Sequence, residues 1–137
     1  MQPNPQPLVL VVEDNAINRT LARSLFNRLG ITPDMACDGQ EAVLRVRDKA
    51  YDIVFMDMQM PVMDGVEATR AIRQLPLPVQ PYIVALTANT SGADRQRCVQ
   101  AGMDDFLSKP YLMDDLRAKL ASIPLHTAHH DPENIDP

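Results

Sequence analysis

Three short, unbroken apolar runs, each ending in a polar group, constrain this chain most. Leu8-Val9-Leu10-Val11-Val12 leads into Glu13-Asp14, Ile53-Val54-Phe55-Met56 into Asp57, and Tyr82-Ile83-Val84-Ala85-Leu86 into Thr87. Aliphatic and β-branched runs of this length, bounded by turn chemistry, read as strands buried on both faces. Such strands belong to parallel sheets covered by helices. In open α/β sheets ligands bind outside the carboxyl ends of the strands, so the three runs bring acids and a hydroxyl to one rim.

Helical patterns fill the gaps between strands. From Asn15 to Leu29, Ile17, Leu21, Leu25 and Leu29 recur at four-residue steps beside Ala22 and Phe26, and Gly30 follows as a left-handed cap; this spacing ordinarily faces inward. Asp38 with Glu41, Asp64 with Glu67, and Ser91 with Asp94 match an N-cap and a reciprocating acid, predicting three further helix starts. A last helix carries Leu112, Leu116 and Leu120 on one face, and Gly102 ends the helix before it. Ile31 to Ala36 and Asp105 to Leu107 supply two shorter strands. Five strands alternating with five helices imply an α/β, doubly wound, five-stranded parallel sheet with five surrounding helices. Pro33 breaks no ladder on an edge, which puts the second strand outermost in the order 2-1-3-4-5.

The 137 residues, 45% of them apolar, suit one domain with a real core. Residues 1–7 and 124–137 carry prolines and polar residues, so they are expected to be flexible flanks, with the folded unit at 8–123. A formal charge of -5 with 4% aromatic residues argues against direct nucleic-acid binding. No run is long enough to span a membrane, and no signal peptide is evident, so a cytoplasmic setting is expected. Cys37 and Cys98 lack metal-ligand spacing and read as buried or half-buried free thiols.

In the 2-1-3-4-5 order, Glu13 and Asp14 after the first strand neighbour Asp57 at the end of the third, at the topological switch point. Three carboxylates at close range repel unless a cation joins them, and hard oxygen donors suit Mg²⁺. Thr87 ends the fourth strand with a hydroxyl, and Lys109 follows the fifth with a mobile positive charge. Such a set suits an incoming phosphoryl group: metal and lysine balance its charge, the hydroxyl holds an oxygen, and a carboxylate attacks phosphorus. Each residue alone is a common turn or cap residue; the constellation carries the argument.

Read as ordered motifs, the chain resembles the receiver domain of two-component response regulators over about residues 8 to 123. The resemblance rests on Val11-Val12-Glu13-Asp14-Asn15, Met56-Asp57-Met58-Gln59-Met60-Pro61-Val62-Met63-Asp64-Gly65, Ala85-Leu86-Thr87-Ala88-Asn89 and Gly102-Met103-Asp104-Asp105-Phe106-Leu107-Ser108-Lys109-Pro110. The Glu-Asp-Asn opening and the Met-Asp-Met-Gln-Met-Pro run look most like receivers of hybrid histidine kinases. The resemblance implies a flavodoxin-like fold in which Asp57 accepts a phosphoryl group from a phosphohistidine. It also implies that Asp14 and Asp57 bind Mg²⁺ directly, that Glu13 does so through water, and that the Gln59 backbone carbonyl completes the protein ligands.

By the same resemblance, Thr87 and Lys109 contact the phosphoryl oxygens, Thr87 and Phe106 form the switch, and the Lys109–Pro110 bond is cis. Phe106 stands where the family often has tyrosine, so it lacks a hydroxyl. Ala88 leaves room for the donor imidazole. The expected donor is a histidine kinase or histidine phosphotransfer protein, docking at Ile17, Asn18, Pro110 and Tyr111. A phosphorylation-dependent dimer is compatible with the reading. The chain would be either a single-domain regulator or the receiver of a hybrid, membrane-bound histidine kinase, and an enzyme only in catalysing its own phosphotransfer and dephosphorylation.

Several features admit other uses. A phosphohydrolase of the haloacid dehalogenase type also employs a strand-end aspartate with Mg²⁺, but its second acid would fall at Gln59, which cannot protonate a leaving group. An interaction module that is never phosphorylated is the other alternative, against which every acidic and lysine position is intact. Met56, Met58, Met60 and Met63 read as core and loop filling rather than soft-metal ligands. His126, His129 and His130 read as tail residues, and Arg19, Arg23 and Arg28 as a solvated face or a steering surface for an acidic partner.

Overall fold

In the computed structural model, which describes residues 7–60, 63–88 and 92–123, strands and helices alternate along the chain. They run β1 (Val9–Val12), α1 (Ala16–Arg28), β2 (Asp34–Ala36), α2 (Gly39–Asp48), β3 (Ile53–Asp57), α3 (Gly65–Arg73), β4 (Tyr82–Thr87), α4 (Gly92–Ala101), β5 (Asp105–Ser108) and α5 (Met113–Ala121). All strand pairs are parallel in the order β2-β1-β3-β4-β5. The expected architecture and strand order are therefore those observed.

Period-two alternation divides each buried strand between two cores. Val9, Val11, Ile53, Phe55, Val84 and Leu86 face α1 and α5, where Ala22, Phe26 and Leu116 close over them. Leu10, Val12, Val54, Met56, Ile83 and Ala85 face α2, α3 and α4, packing on Ala42, Val46, Ala68, Ile72 and Cys98. The rings of Phe26 and Phe55 meet edge to face, centroids 5.3 Å apart. Phe26→Ala would cost about 3–5 kcal/mol through lost burial and the cavity left behind.

Local sequence signals act largely as expected. Asn15 caps α1 by accepting from the Asn18 amide, and Asp64 with Glu67 forms a reciprocal capping box on α3. Gly30 and Gly102 take φ of 81° and 103°, the left-handed conformation that ends α1 and α4. Gly65 starts α3 against the backbone of Asp57 and Met58, which leaves no room for a Cβ.

Several expectations need correction. The ladder of β2 begins at Asp34, opposite Leu10, so Ile31 and Pro33 precede the strand rather than lie in it. The ring at Pro33 thus removes no ladder bond. Asp38 does cap α2, but Glu41 returns to the Cys37 amide at 2.8 Å, one residue earlier than a capping box would have it. Cys37 is exposed, its thiol bonded to the same carboxylate; only Cys98 is buried. Leu112 is the extended N-cap of α5, outside the helical face shared by Leu116 and Leu120, and is 69% exposed. In α1 the inward contact runs through Ala22 and Phe26, leaving Ile17 71% and Leu21 58% exposed. The proposed Ser91 cap, the three histidines and both proline-bearing ends lie outside the described residues.

Candidate functional site

The strand order puts the ends of β1 and β3 side by side at the point where connections diverge to opposite edges, the crevice that α/β sheets use for ligands. Glu13 and Asp57 are buried there, 3% and 4% exposed, while Asp14 is exposed. Carboxylate oxygens of Glu13, Asp14 and Asp57 lie within 4.8 Å of one another. Lys109 follows β5 directly and is joined to Pro110 by a cis bond, and its ammonium stands 3.1 Å from both Asp57 Oδ2 and Glu13 Oε1.

Hydrogen bonds hold the two buried acids in place. The Gln59 amide donates to Asp57 Oδ1 at 3.1 Å, and the Asn15 amide to Glu13 Oε2 at 3.3 Å. Burial works to lower the Lys109 pKa, but the hydrogen bond to Glu13 and the charge of Asp57 outweigh it and hold it above the ordinary lysine value. Tyr111, beside the same acids, is pushed up to about 12 by burial and then by the charges of Glu13 and Asp57.

Three carboxylates against one ammonium leave net negative charge in a partly buried rim, which a hard dication would offset. The donor set fits Mg²⁺, being oxygen throughout. Met56, Met58 and Met60 belong to the buried core and Met63 packs against it, so the methionines fill space as expected.

Thr87 is buried at the end of β4, in register with Ser108, and its carbonyl accepts from the Lys109 amide at 2.8 Å. By strand alternation Thr87 shares a sheet face with Ala85, and Ala85 pairs with Phe106. Thr87 and Phe106 are therefore same-face neighbours on adjacent strands. The half-buried Phe106 ring lies under the Arg95 guanidinium, 4.5 Å from its centroid.

Two grooves flank the rim. One, of about 620 Å³, runs between α1 and the loop after β5, lined by Asn18, Leu21, Leu25, Ala88, Pro110 and Tyr111. The other, of about 570 Å³, lies toward α4 and is lined by Met58, Gln59, Asp64, Thr87, Asp94 and Arg97. Of the four residues expected at the donor-docking face, Asn18, Pro110 and Tyr111 line the first groove, whereas Ile17 is exposed on the same helix but is not among its lining residues. Sequence reading missed Leu21, because its spacing marked it as core. It also missed Arg19, which is half-buried and donates to two main-chain carbonyls instead of lying in solvent with Arg23 and Arg28.

Fold and site together define an α/β domain with a cluster of three carboxylates and a lysine at its switch point. Residues 9–121 match the response regulator receiver domain, and the chain belongs to that family. It is 47% identical over 121 residues to a two-component response regulator of Oryza sativa subsp. japonica, covering 85% of this chain and 94% of that protein. Matches to hybrid histidine kinases of Dictyostelium discoideum are partial: the chain spans 10% and 6% of the length of two of them.

Among solved structures, it is similar to the receiver domain of a sensor histidine kinase from Pseudomonas aeruginosa PAO1, described with magnesium coordinated in the active-site cleft. That likeness has a TM-score of 0.78 at 39% identity, over 85% of this chain and 95% of that one. A chain of the Saccharomyces cerevisiae co-crystal of the phosphotransfer protein Ypd1 with the Ssk1 receiver domain matches with a TM-score of 0.82 at 31% identity, over 98% of this chain and 100% of that one. No helix among the described residues is long and apolar enough to cross a membrane.

Proposed function

We propose that Asp57 is the phosphoacceptor of this receiver domain, taking a phosphoryl group from a phosphohistidine on a histidine kinase or a histidine phosphotransfer protein. The observation that carries this reading is the Lys109 ammonium poised 3.1 Å from a carboxylate that shares its rim with two more acids. A carboxylate oxygen of Asp57 attacks phosphorus in line; the new O–P bond forms as the N–P bond breaks, and the imidazole leaves with the electron pair. Lys109 follows the charge onto a phosphoryl oxygen, and the Thr87 hydroxyl donates to another. In this reading Asp14, Asp57 and the Gln59 carbonyl would hold Mg²⁺ directly and Glu13 through water, and the metal would offset the charge of the transferring group.

The donor's approach is along the groove between α1 and the β5–α5 loop. The small side chain of Ala88 leaves that approach open, and Asn18, Pro110 and Tyr111, with the exposed Ile17 on the same helix, offer an apolar and polar surface of the make-up found in transient interfaces. The reading serves equally a single-domain regulator and the receiver of a hybrid kinase, working in the cytoplasm. Phosphorylation then draws Thr87 toward the phosphoryl group and frees the space beside it for Phe106, a shift between two packings. Incubating wild type and Asp57→Asn with Mg²⁺ and acetyl phosphate tests the acceptor: labelling should vanish in the variant, and equal labelling would move the acceptor elsewhere.

A further inference from the structure

Two of the three clustered acids are held by side-chain contacts: Asp57 by Lys109 and the Gln59 amide, Glu13 by Lys109 and the Asn15 amide. The exposed Asp14 carboxylate has no such bond among the described residues, so its main chain, which sets where the side chain leaves the loop, is what places it. Peptide units are planar, and the two planes that meet at the Asp14 Cα determine its φ and ψ and hence where its Cβ points. A single guanidinium nitrogen holds both planes. Arg19 Nη1 donates to the Glu13 carbonyl at 2.9 Å and to the Asp14 carbonyl at 3.0 Å.

Arg19 is itself anchored, because its amide bonds to the Asn15 carbonyl at 2.9 Å in the first turn of α1. The loop is therefore tied to the helix at its end and braced across its middle. Arginine suits this task, since one terminal nitrogen carries two N–H donors held in the guanidinium plane, one for each carbonyl, with a permanent charge, whereas a lysine ammonium is a freely rotating, strongly hydrated point charge on a shorter stem. Arg23 and Arg28 on the same helix are exposed and take no part.

We infer that Arg19 is a positioning residue for the cation site: by holding the Glu13 and Asp14 carbonyls it aims the Asp14 carboxylate at the point where the Glu13 and Asp57 oxygens converge. The inference rests on the reading of that cluster as a Mg²⁺ site. Charge and positioning predict opposite signs. A positive group near the cluster repels a dication, so removing the charge alone would tighten Mg²⁺ binding; removing the brace loosens it.

Wild type, Arg19→Met and Arg19→Lys should be titrated with MgCl₂ by calorimetry, with folding checked by urea melts in chelator. The Mg²⁺ Kd is expected to rise on the order of tenfold in Arg19→Met, as for other residues that orient metal ligands, with Arg19→Lys in between. Labelling by acetyl phosphate should be slow at limiting Mg²⁺ and return to the wild-type rate at saturating Mg²⁺. An unchanged or lower Kd in Arg19→Met overturns the inference, as does a labelling defect that excess Mg²⁺ does not relieve. Should Arg19→Met fail to fold, Arg19→Lys decides, and a wild-type Kd there overturns the inference. Wild type that binds no Mg²⁺ at all would overturn the reading of the cluster itself, a result distinguishable because it appears before any substitution is made.

Discussion

Lys109 Nζ lies 3.1 Å from Asp57 Oδ2, reaching from the end of β5 past β4 to the end of β3. The same ammonium stands 3.1 Å from Glu13 Oε1, so one cation balances two buried carboxylates. Lys109→Met should therefore destabilise the metal-free protein by about 2–3 kcal/mol, below the full cost of breaking a buried pair because Lys109 is partly exposed. Mg²⁺ should recover much of that loss. Urea unfolding with chelator and with Mg²⁺ measures both; equal stability of variant and wild type in chelator would refute the ion-pair argument.

Alkaline pH offers a second check. All three tyrosines ionise above their ordinary value: burial leads at each, with Asp34 adding at Tyr51, Asp105 at Tyr82, and Glu13 and Asp57 at Tyr111. Unfolded tyrosine titrates near pH 10, so this stabilisation is complete below about pH 10 and is lost as pH rises through the higher folded values. Lys109, also raised, acts in the same direction. Tyrosinate absorbance at about pH 10.5 should be well below that of the protein unfolded in urea, and coincident titration curves would contradict the burial of these hydroxyls.

Arg95 over Phe106 supplies a restraint on a ring that has no hydroxyl of its own. A cation over an aromatic face at a partly exposed site contributes about 0.5–1 kcal/mol. Arg95→Gln should accordingly raise the unphosphorylated population of the alternative Phe106 position about two- to fivefold. Amide spectra of the variant should move toward those of the beryllofluoride-treated wild type around residues 82–88 and 105–110. Spectra unchanged beyond the neighbours of residue 95 would separate Arg95 from the switch.

Ile17 is exposed at the start of α1, and Ile17→Glu should leave the Tm nearly unchanged. Transfer from a phosphorylated histidine phosphotransfer protein should slow by about tenfold, the scale of one interface anchor, while labelling by acetyl phosphate stays as in wild type. Leu21→Glu, at the groove itself, should act likewise. Slowing of both donors together would locate the defect in the site rather than in docking.

Much of the site was legible because strand ends are written in the chain. An apolar run that stops at Asp57, Glu13 or Thr87 marks its own carboxyl end, and alternation of strands and helices sends those ends to one rim. Two caps were legible for a similar reason, since Asp38 and Asp64 bond to amides within three residues. Register with distant partners was less accessible: Ile31 to Pro33 has strand composition but no ladder partner before Asp34.

The sequence alone determined which segments become strands and helices and which acids end them, because those outcomes follow from local periodicity and short-range hydrogen bonds. Tertiary structure decided which helix faces were used. Four residues advance a helix by slightly more than one turn, so a stripe such as Ile17, Leu21, Leu25 and Leu29 drifts around the axis and cannot all face one sheet. The ring of Phe55 on β3 meets Phe26, which turns Ala22 and Phe26 inward and leaves Ile17 and Leu21 outside. The partners of Arg19 and Lys109 were decided the same way: a long cationic side chain can reach many acceptors, and only the packed arrangement of loop, helix and strand ends selects the carbonyls of Glu13 and Asp14 for one and the carboxylates of Glu13 and Asp57 for the other.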